Sequence, residues 1–130
     1  MANPNIINVS SILAGNAGFN LSSTATATLI TVASDKILKI NSIMVANVDG
    51  SNAATVDIFV DGMGSGTTGI TTTGADATVY LAKTINVPAD STLVLLSSPI
   101  YLMEGDVLKG GASAASDLDL FVSYELINDA

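Results

Sequence analysis

The stretch TVDIFVD, Thr55 to Asp61, decides the fold class: Val56, Ile58 and Val60 fall on one side of an extended chain, and Asp57, Phe59 and Asp61 on the other. Alternation of this kind has the period of a β-strand, and a helix could not bury its apolar residues without also burying its aspartates. The end of the chain repeats the pattern. Leu118, Leu120, Val122, Tyr124 and Leu126 alternate with Asp119, Phe121, Ser123 and Glu125. Similar runs occur at Ile6–Leu13, Thr24–Val32, Ile37–Val48, Val79–Val87, Thr92–Leu96, Ile100–Met103 and Val107–Gly110. Eight or nine short strands in 130 residues predict an all-β chain, an antiparallel β-sandwich of jelly-roll-like or Ig-like type.

Composition supports this reading. Ser and Thr supply 27 residues, β-branched side chains are plentiful, and two Glu with no Arg or Gln make a poor helix surface. Residues 14–130 read as one domain. Residues 1–13 before it read either as an N-terminal arm that adds a strand to a neighbour or as a plain first strand. Between the strands, Asp49-Gly50-Ser51-Asn52 suits a hairpin turn with positive φ angles. Pro88-Ala89-Asp90-Ser91 suits a type I turn with proline in second position, and Glu104-Gly105-Asp106 a tight turn. Short connections of this sort imply antiparallel pairing, because a parallel crossover needs a dozen or more residues. One connection breaks the rhythm. Asp61 to Thr78 carries five glycines and six threonines; its 62–78 stretch reads either as a floppy connection or as a segment ordered by a partner.

Twelve acids against four lysines give a net charge of −8 and a pI near 4.1. The sign argues against nucleic acid, whose phosphates call for Lys and Arg. With no His or Cys, a Ser-His triad, a thiol nucleophile, a Cys/His zinc site and a disulfide all fall away. No apolar run is long enough for a membrane-spanning helix, and the N-terminus has no basic, then apolar, signal pattern, so no membrane or Sec export is expected.

The remaining chemistry rests on acids. Asp57/Asp61 and Asp117/Asp119 each share a strand face, as paired carboxylates of a glycosidase would, but that face is the solvated one and no Trp is present to stack a sugar. Asp49, Asn52, Asp57 and Asp61 are oxygen donors of the type calcium takes, without the spacing of an EF-hand, and turn chemistry is the simpler reading of the first two. Gly62-Met63-Gly64-Ser65-Gly66 lacks the Lys-Ser/Thr of a phosphate loop. No cofactor or catalytic residue is expected.

Aromatic rings more often fill a core than stack a ligand. Phe59 and Phe121, however, lie opposite the apolar side of their strands, among Asp and Ser, which suggests a covered face. They are contact candidates, with Ile6, Ile7, Val9 and Ile12 of the N-terminal segment and Met63 and Ile70 of the Gly/Thr-rich loop.

Residues 36–127 carry a recognisable order: Ala46-Asn47 and Ala53-Ala54-Thr55-Val56, then Pro88-Ala89-Asp90-Ser91-Thr92-Leu93, Pro99-Ile100-Tyr101-Leu102, Glu104-Gly105-Asp106-Val107-Leu108 and the closing strand from Leu118. In this order the chain resembles the small β-sandwich virion proteins of tailed bacteriophages, those that decorate or cement capsids or serve as tail accessories. The resemblance implies a non-catalytic structural protein on the virion surface. It would bind the major capsid protein, most simply as a homotrimer where capsid subunits meet, and stabilise the DNA-filled head. The alternatives are a tail accessory or receptor-binding module, and a bacterial carbohydrate-binding or adhesin module.

Overall fold

Period-two burial runs through the chain and folds it into two sheets. The structure, a computed structural model, describes residues 9–22, 26–62 and 77–129. Among them are nine strands and no helix: β1 (Val9–Asn20), β2 (Ala27–Thr31), β3 (Lys36–Asn47), β4 (Ala54–Asp61), β5 (Val79–Val87), β6 (Thr92–Leu96), β7 (Ile100–Leu102), β8 (Val107–Ala112) and β9 (Leu118–Asp129). One sheet has the order β1-β9-β3-β6, with β7 also on β3; the other has the order β2-β8-β4-β5, and every pairing is antiparallel.

The pairing is nested. β1 pairs with β9, β2 with β8, β3 with β6 and β7, and β4 with β5. The chain is thus one antiparallel ribbon, folded back at the β4–β5 connection and rolled so that, apart from β4–β5 and β6–β7, successive strands lie in different sheets. Of the two expected sandwich types this is the jelly roll. An Ig-like order would keep the first two strands side by side in one sheet, whereas β1 and β2 lie in different sheets.

Between the sheets lies one apolar layer. Ile40, Ile43, Val45, Leu120 and Val122 from the first sheet belong to one buried cluster with Val56, Ile58, Val60 and Leu108 from the second. Strict alternation along β3 could not bury both Ile40 and Ile43. The register with β9 slips between Ile40 and Ser42, and this bulge turns Leu38 and Ile40, then Ile43 and Val45, to the same side. Across the layer, Gly110 is held small by contact: a Cβ there would lie 2.8 Å from Ile58 Cδ1 and 3.1 Å from the Asp57 carbonyl.

The turn residues act differently from the sequence expectation. Asp49–Asn52 forms a turn in which the Asp49 carboxylate accepts from the Ser51 N–H at 2.8 Å and from Asn52 Nδ2 at 3.1 Å. It is not a hairpin: it carries the chain from β3 in one sheet to β4 in the other, and Gly50 needs no positive φ. Glu104–Asp106 likewise passes between sheets, with Gly105 at φ 85° and the Asp106 N–H on the Met103 carbonyl at 3.0 Å. At 88–91 the Ser91 N–H reaches the Pro88 carbonyl at 3.2 Å, so proline is the first turn residue and not the second. Asp90 takes the left-handed φ of 55° at the third position, as in a type II turn. The one consecutive pair that hydrogen-bonds as a hairpin, β4 and β5, flanks the Gly/Thr-rich stretch. At its mouth Thr78 Oγ1 donates to Asp61 Oδ1 at 2.8 Å.

Asn47, at the end of β3, is buried and pins this arrangement. Its Nδ2 donates to the carbonyls of Val87 at 2.9 Å and Asn52 at 3.0 Å, and its Oδ1 accepts the Asp49 N–H at 2.9 Å. One side chain thus ties the β3–β4 turn to the end of β5. Removing it strands buried polar groups, so Asn47→Ala is expected to cost about 1–3 kcal/mol in urea unfolding. Ile43→Ala in the core is expected to cost about 2–5 kcal/mol, and Val94→Ala on the surface under about 0.5 kcal/mol. An Asn47→Ala variant as stable as the parent would remove Asn47 from this role.

Candidate docking surface

On the outer face of the first sheet the register builds an apolar row. Gly18 of β1 stands opposite Phe121 of β9, Phe121 opposite Met44 of β3, and Met44 opposite Val94 of β6. Phe121 is 41% exposed and Val94 58%, with Met44 also open. The row has polar neighbours on both sides: Asn20, Asp119 and Thr92 in one direction, Asn16, Ser123 and Ser42 in the other. Beside Phe121 lies an open depression of about 500 Å³, lined by Gly18, Met44, Ala46, Thr92 and Asp119 among others. A Cβ on Gly18 would meet nothing within 4 Å, so one flank of the ring is uncovered. An apolar centre with a polar margin is the anatomy of a protein–protein contact. Two rows over, Lys39 and Glu125 pair at 3.8 Å, a surface contact that contributes little.

Phe59, the companion candidate on the second sheet, does not share this exposure. It is 7% exposed. Its neighbours across the sheet are Tyr80 of β5 and Lys109 of β8, and the Tyr80 ring lies 4.9 Å from its own, tilted by 35°. Lys83 Nζ sits 4.4 Å from the Tyr80 ring centre, a cation–π contact. The cover expected of a partner subunit is thus supplied at least in part by this chain's own β5.

Among the N-terminal candidates, Val9 and Ile12 are in β1 as part of the chain's own sheet. Ile12 is 56% exposed, beside Ile127 and Ile37, which are buried on the same outer side. The strand runs on to Asn20, past the expected division at residue 13; Gly15, Gly18 and the small residues around them hid this half of β1. Ile6, Ile7, Met63 and Ile70 lie outside the described residues.

The oxygen donors considered for calcium are not brought together. Asp49 is occupied by its own turn. Asp57 accepts the Thr84 N–H at 2.6 Å and lies 4.0 Å from Lys83 Nζ. Asp61 binds Lys109 Nζ at 3.0 Å, the Thr78 hydroxyl and the Gly62 N–H. Asp57 and Asp61 are four residues apart on one strand, about 13 Å at some 3.3 Å per residue, farther than glycosidase carboxylates stand. No group of three or more acids among the described residues is placed to hold a metal.

Sequence reasoning missed the buried acids Glu104 and Asp106. Glu104 Oε2 accepts the Asp35 N–H at 2.7 Å, and Asp106 Oδ2 the Met103 N–H at 2.9 Å. Together with Val32, whose carbonyl accepts the Gly105 N–H and whose N–H reaches the Asp106 carbonyl, they join the β7–β8 turn to the β2–β3 turn. The motif was visible as the tight turn Glu-Gly-Asp, but the burial of its acids was not, because nothing in the local sequence reveals that the Asp35 N–H of the other turn meets Glu104.

No family model, curated protein or solved structure matches the chain.

The Lys109 ammonium, with the Thr78 and Gly62 donors, pulls the Asp61 carboxyl down from 3.8 to about 2. Burial pushes Asp106 upward, against its bond to Met103. A carboxyl whose folded pKa is depressed stabilises the fold above its unfolded value and loses that contribution as pH falls through the folded one. The stability difference between parent and Asp61→Asn is therefore expected to hold steady above about pH 4 and to vanish towards pH 2. Urea titrations across this range measure it. A difference that did not change with pH would contradict the assignment. Asp106 has the opposite sign: its ionised form is disfavoured in the fold, and acidification relieves that cost.

Proposed function

We propose that this chain is a non-catalytic virion protein of a tailed bacteriophage, a decoration or cement protein that binds the outer surface of the major capsid lattice and stabilises the filled head. The observation that carries the proposal is the Phe121–Met44–Val94 row, an exposed apolar strip across three neighbouring strands of an otherwise acidic chain. An open, polar-margined strip spanning several strands suits attachment to a broad protein surface better than capture of a small molecule. The jelly-roll winding presents that sheet as one continuous face, and the order of motifs over 36–127 points to phage particles. A charge of −8 keeps many copies soluble on a crowded shell. Attachment through several copies at once, in a homo-oligomer, turns modest single contacts into a durable clamp.

Phe121 leaves about 80 Å² of apolar surface for a partner, worth roughly 2 kcal/mol at about 25 cal/mol per Å². Phe121→Asp is therefore expected to fold as the parent does, by circular dichroism, and to bind particles stripped of the protein at least ~30-fold more weakly. Met44→Ser should weaken binding less. Equal retention of Phe121→Asp on stripped heads would overturn the docking face, and binding confined to tails would move the protein to a tail role.

A further inference from the structure

β1 is an outer strand, paired with β9 on one side. Which of its backbone groups face outward follows from the ladder. The Leu21 N–H donates to the Leu118 carbonyl at 2.9 Å, and the register continues unbroken from Asn20↔Asp119 back to Ser11↔Asn128. Bonded pairs alternate in an antiparallel ladder. Leu13, Gly15, Ala17 and Phe19 therefore point their N–H and C=O groups at β9, and Ile12, Ala14, Asn16, Gly18 and Asn20 point theirs to the other side, where no strand among the described residues pairs with β1.

Edges of this kind usually carry a guard: a charge, a proline, a bulge or short length. The other edges have one. β5 carries Lys83, a register break on either side of Ile58 opposite it, and Thr84 at φ 53°. β2 and β6 are five residues long, and each has a register shift. β1 is twelve residues long with no charge and no proline, and its one irregularity lies at Val9/Ser11, outside the edge-facing run.

We propose that β1 is the pairing edge for a second copy of this chain, the two β1 strands running antiparallel about a two-fold axis at Asn16. This register sets Ile12 opposite Asn20 of the second copy and Ala14 opposite its Gly18, so all the edge-facing groups find partners. Asn16 meets its own copy, and an amide can both donate to and accept from an identical amide. On either side of Asn16 the facing pair, Ala14 and Gly18, is small, and the space over Gly18 is open. Charge selects the occupant. Each copy carries −8, yet the nearest acids, Asp119 and Glu125, are on β9. Across the joint the two β9 strands stand three strand spacings apart, about 14 Å, beyond the screening length of about 8 Å at physiological salt. An acidic chain can therefore approach itself along β1, while a basic arm would find no charge there to meet. The contact is isologous and closes as a dimer, unlike the trimer that the family resemblance implies, and it borders the Phe121 row at Gly18 without using Phe121, Met44 or Val94.

The test is sedimentation equilibrium of the full chain over rising concentration, with amide hydrogen exchange on the same samples. The mass is expected to rise from 13.1 kDa to twice that value. The amides of Ile12, Ala14, Asn16, Gly18 and Asn20 should exchange at least ~10-fold more slowly in the concentrated sample, with those of Leu13, Gly15, Ala17 and Phe19 unchanged. Asn16→Pro deletes one outward N–H and no bond to β9, so it should keep the parent's circular dichroism and remain at 13.1 kDa. If the proline variant does not fold, Asn16→Asp and Asn16→Lys replace it: each alone stays monomeric, and an equimolar mixture pairs. A single-copy mass at every concentration, a three-copy mass, or pairing undiminished in Asn16→Asp would overturn the proposal.

Discussion

The structure depends on a single apolar layer shared by two sheets. Ile40, Ile43 and Val45 on β3, with Leu120 and Val122 on β9, meet Val56, Ile58 and Val60 on β4 and Leu108 on β8. None of these strands could hide its apolar side against its neighbours within a sheet, because neighbours lie edge to edge. Burial requires the second sheet, and the nested pairing brings the two halves of the chain into register on both sides of the layer. Everything outside the layer inherits its position from it. Because Leu120 and Val122 must point inward, Phe121 must point out; because Val56, Ile58 and Val60 point inward, Asp57, Phe59 and Asp61 form the opposite face.

That inheritance explains what could be read from the sequence. The inward and outward sides of β4 and β9 were legible residue by residue, since a period of two admits only two assignments and the aspartates exclude one. The exposure of Phe121 was legible for the same reason. The burial of Phe59 was not, although the two rings have the same local pattern. Their difference comes from the neighbouring strands: Tyr80 and Lys109 flank Phe59, and Gly18 and Met44 flank Phe121. Strand neighbours in this fold are distant in sequence, so local pattern carries no information about them.

The turns show the same limit. Asp49–Asn52 and Glu104–Asp106 have turn chemistry, and both are turns. Their geometry as links between sheets is set by what they are tied to: Asn47 and the Val87 carbonyl in one case, Val32 and Asp35 in the other. The acids followed suit. Asp57 and Asp61 face outward as expected, but lysines on β5 and β8 engage them, while two acids are drawn inside, Glu104 to accept a backbone N–H of the β2–β3 turn and Asp106 to accept one of its own turn. Acidic residues here serve largely as hydrogen-bond acceptors that fasten connections.

The proposed capsid role draws on the same geometry: with the inner side of the first sheet committed to the core, its outer side, carrying Phe121, Met44 and Val94, is the broad face left for a large partner. The most direct measurement is a reconstruction, at residue resolution, of particles carrying the added protein. The account predicts the β1-β9-β3-β6 sheet lying against the shell, with Phe121, Met44 and Val94 covered by capsid protein. A bound molecule with that sheet turned to solvent and the β2-β8-β4-β5 sheet on the shell would contradict it.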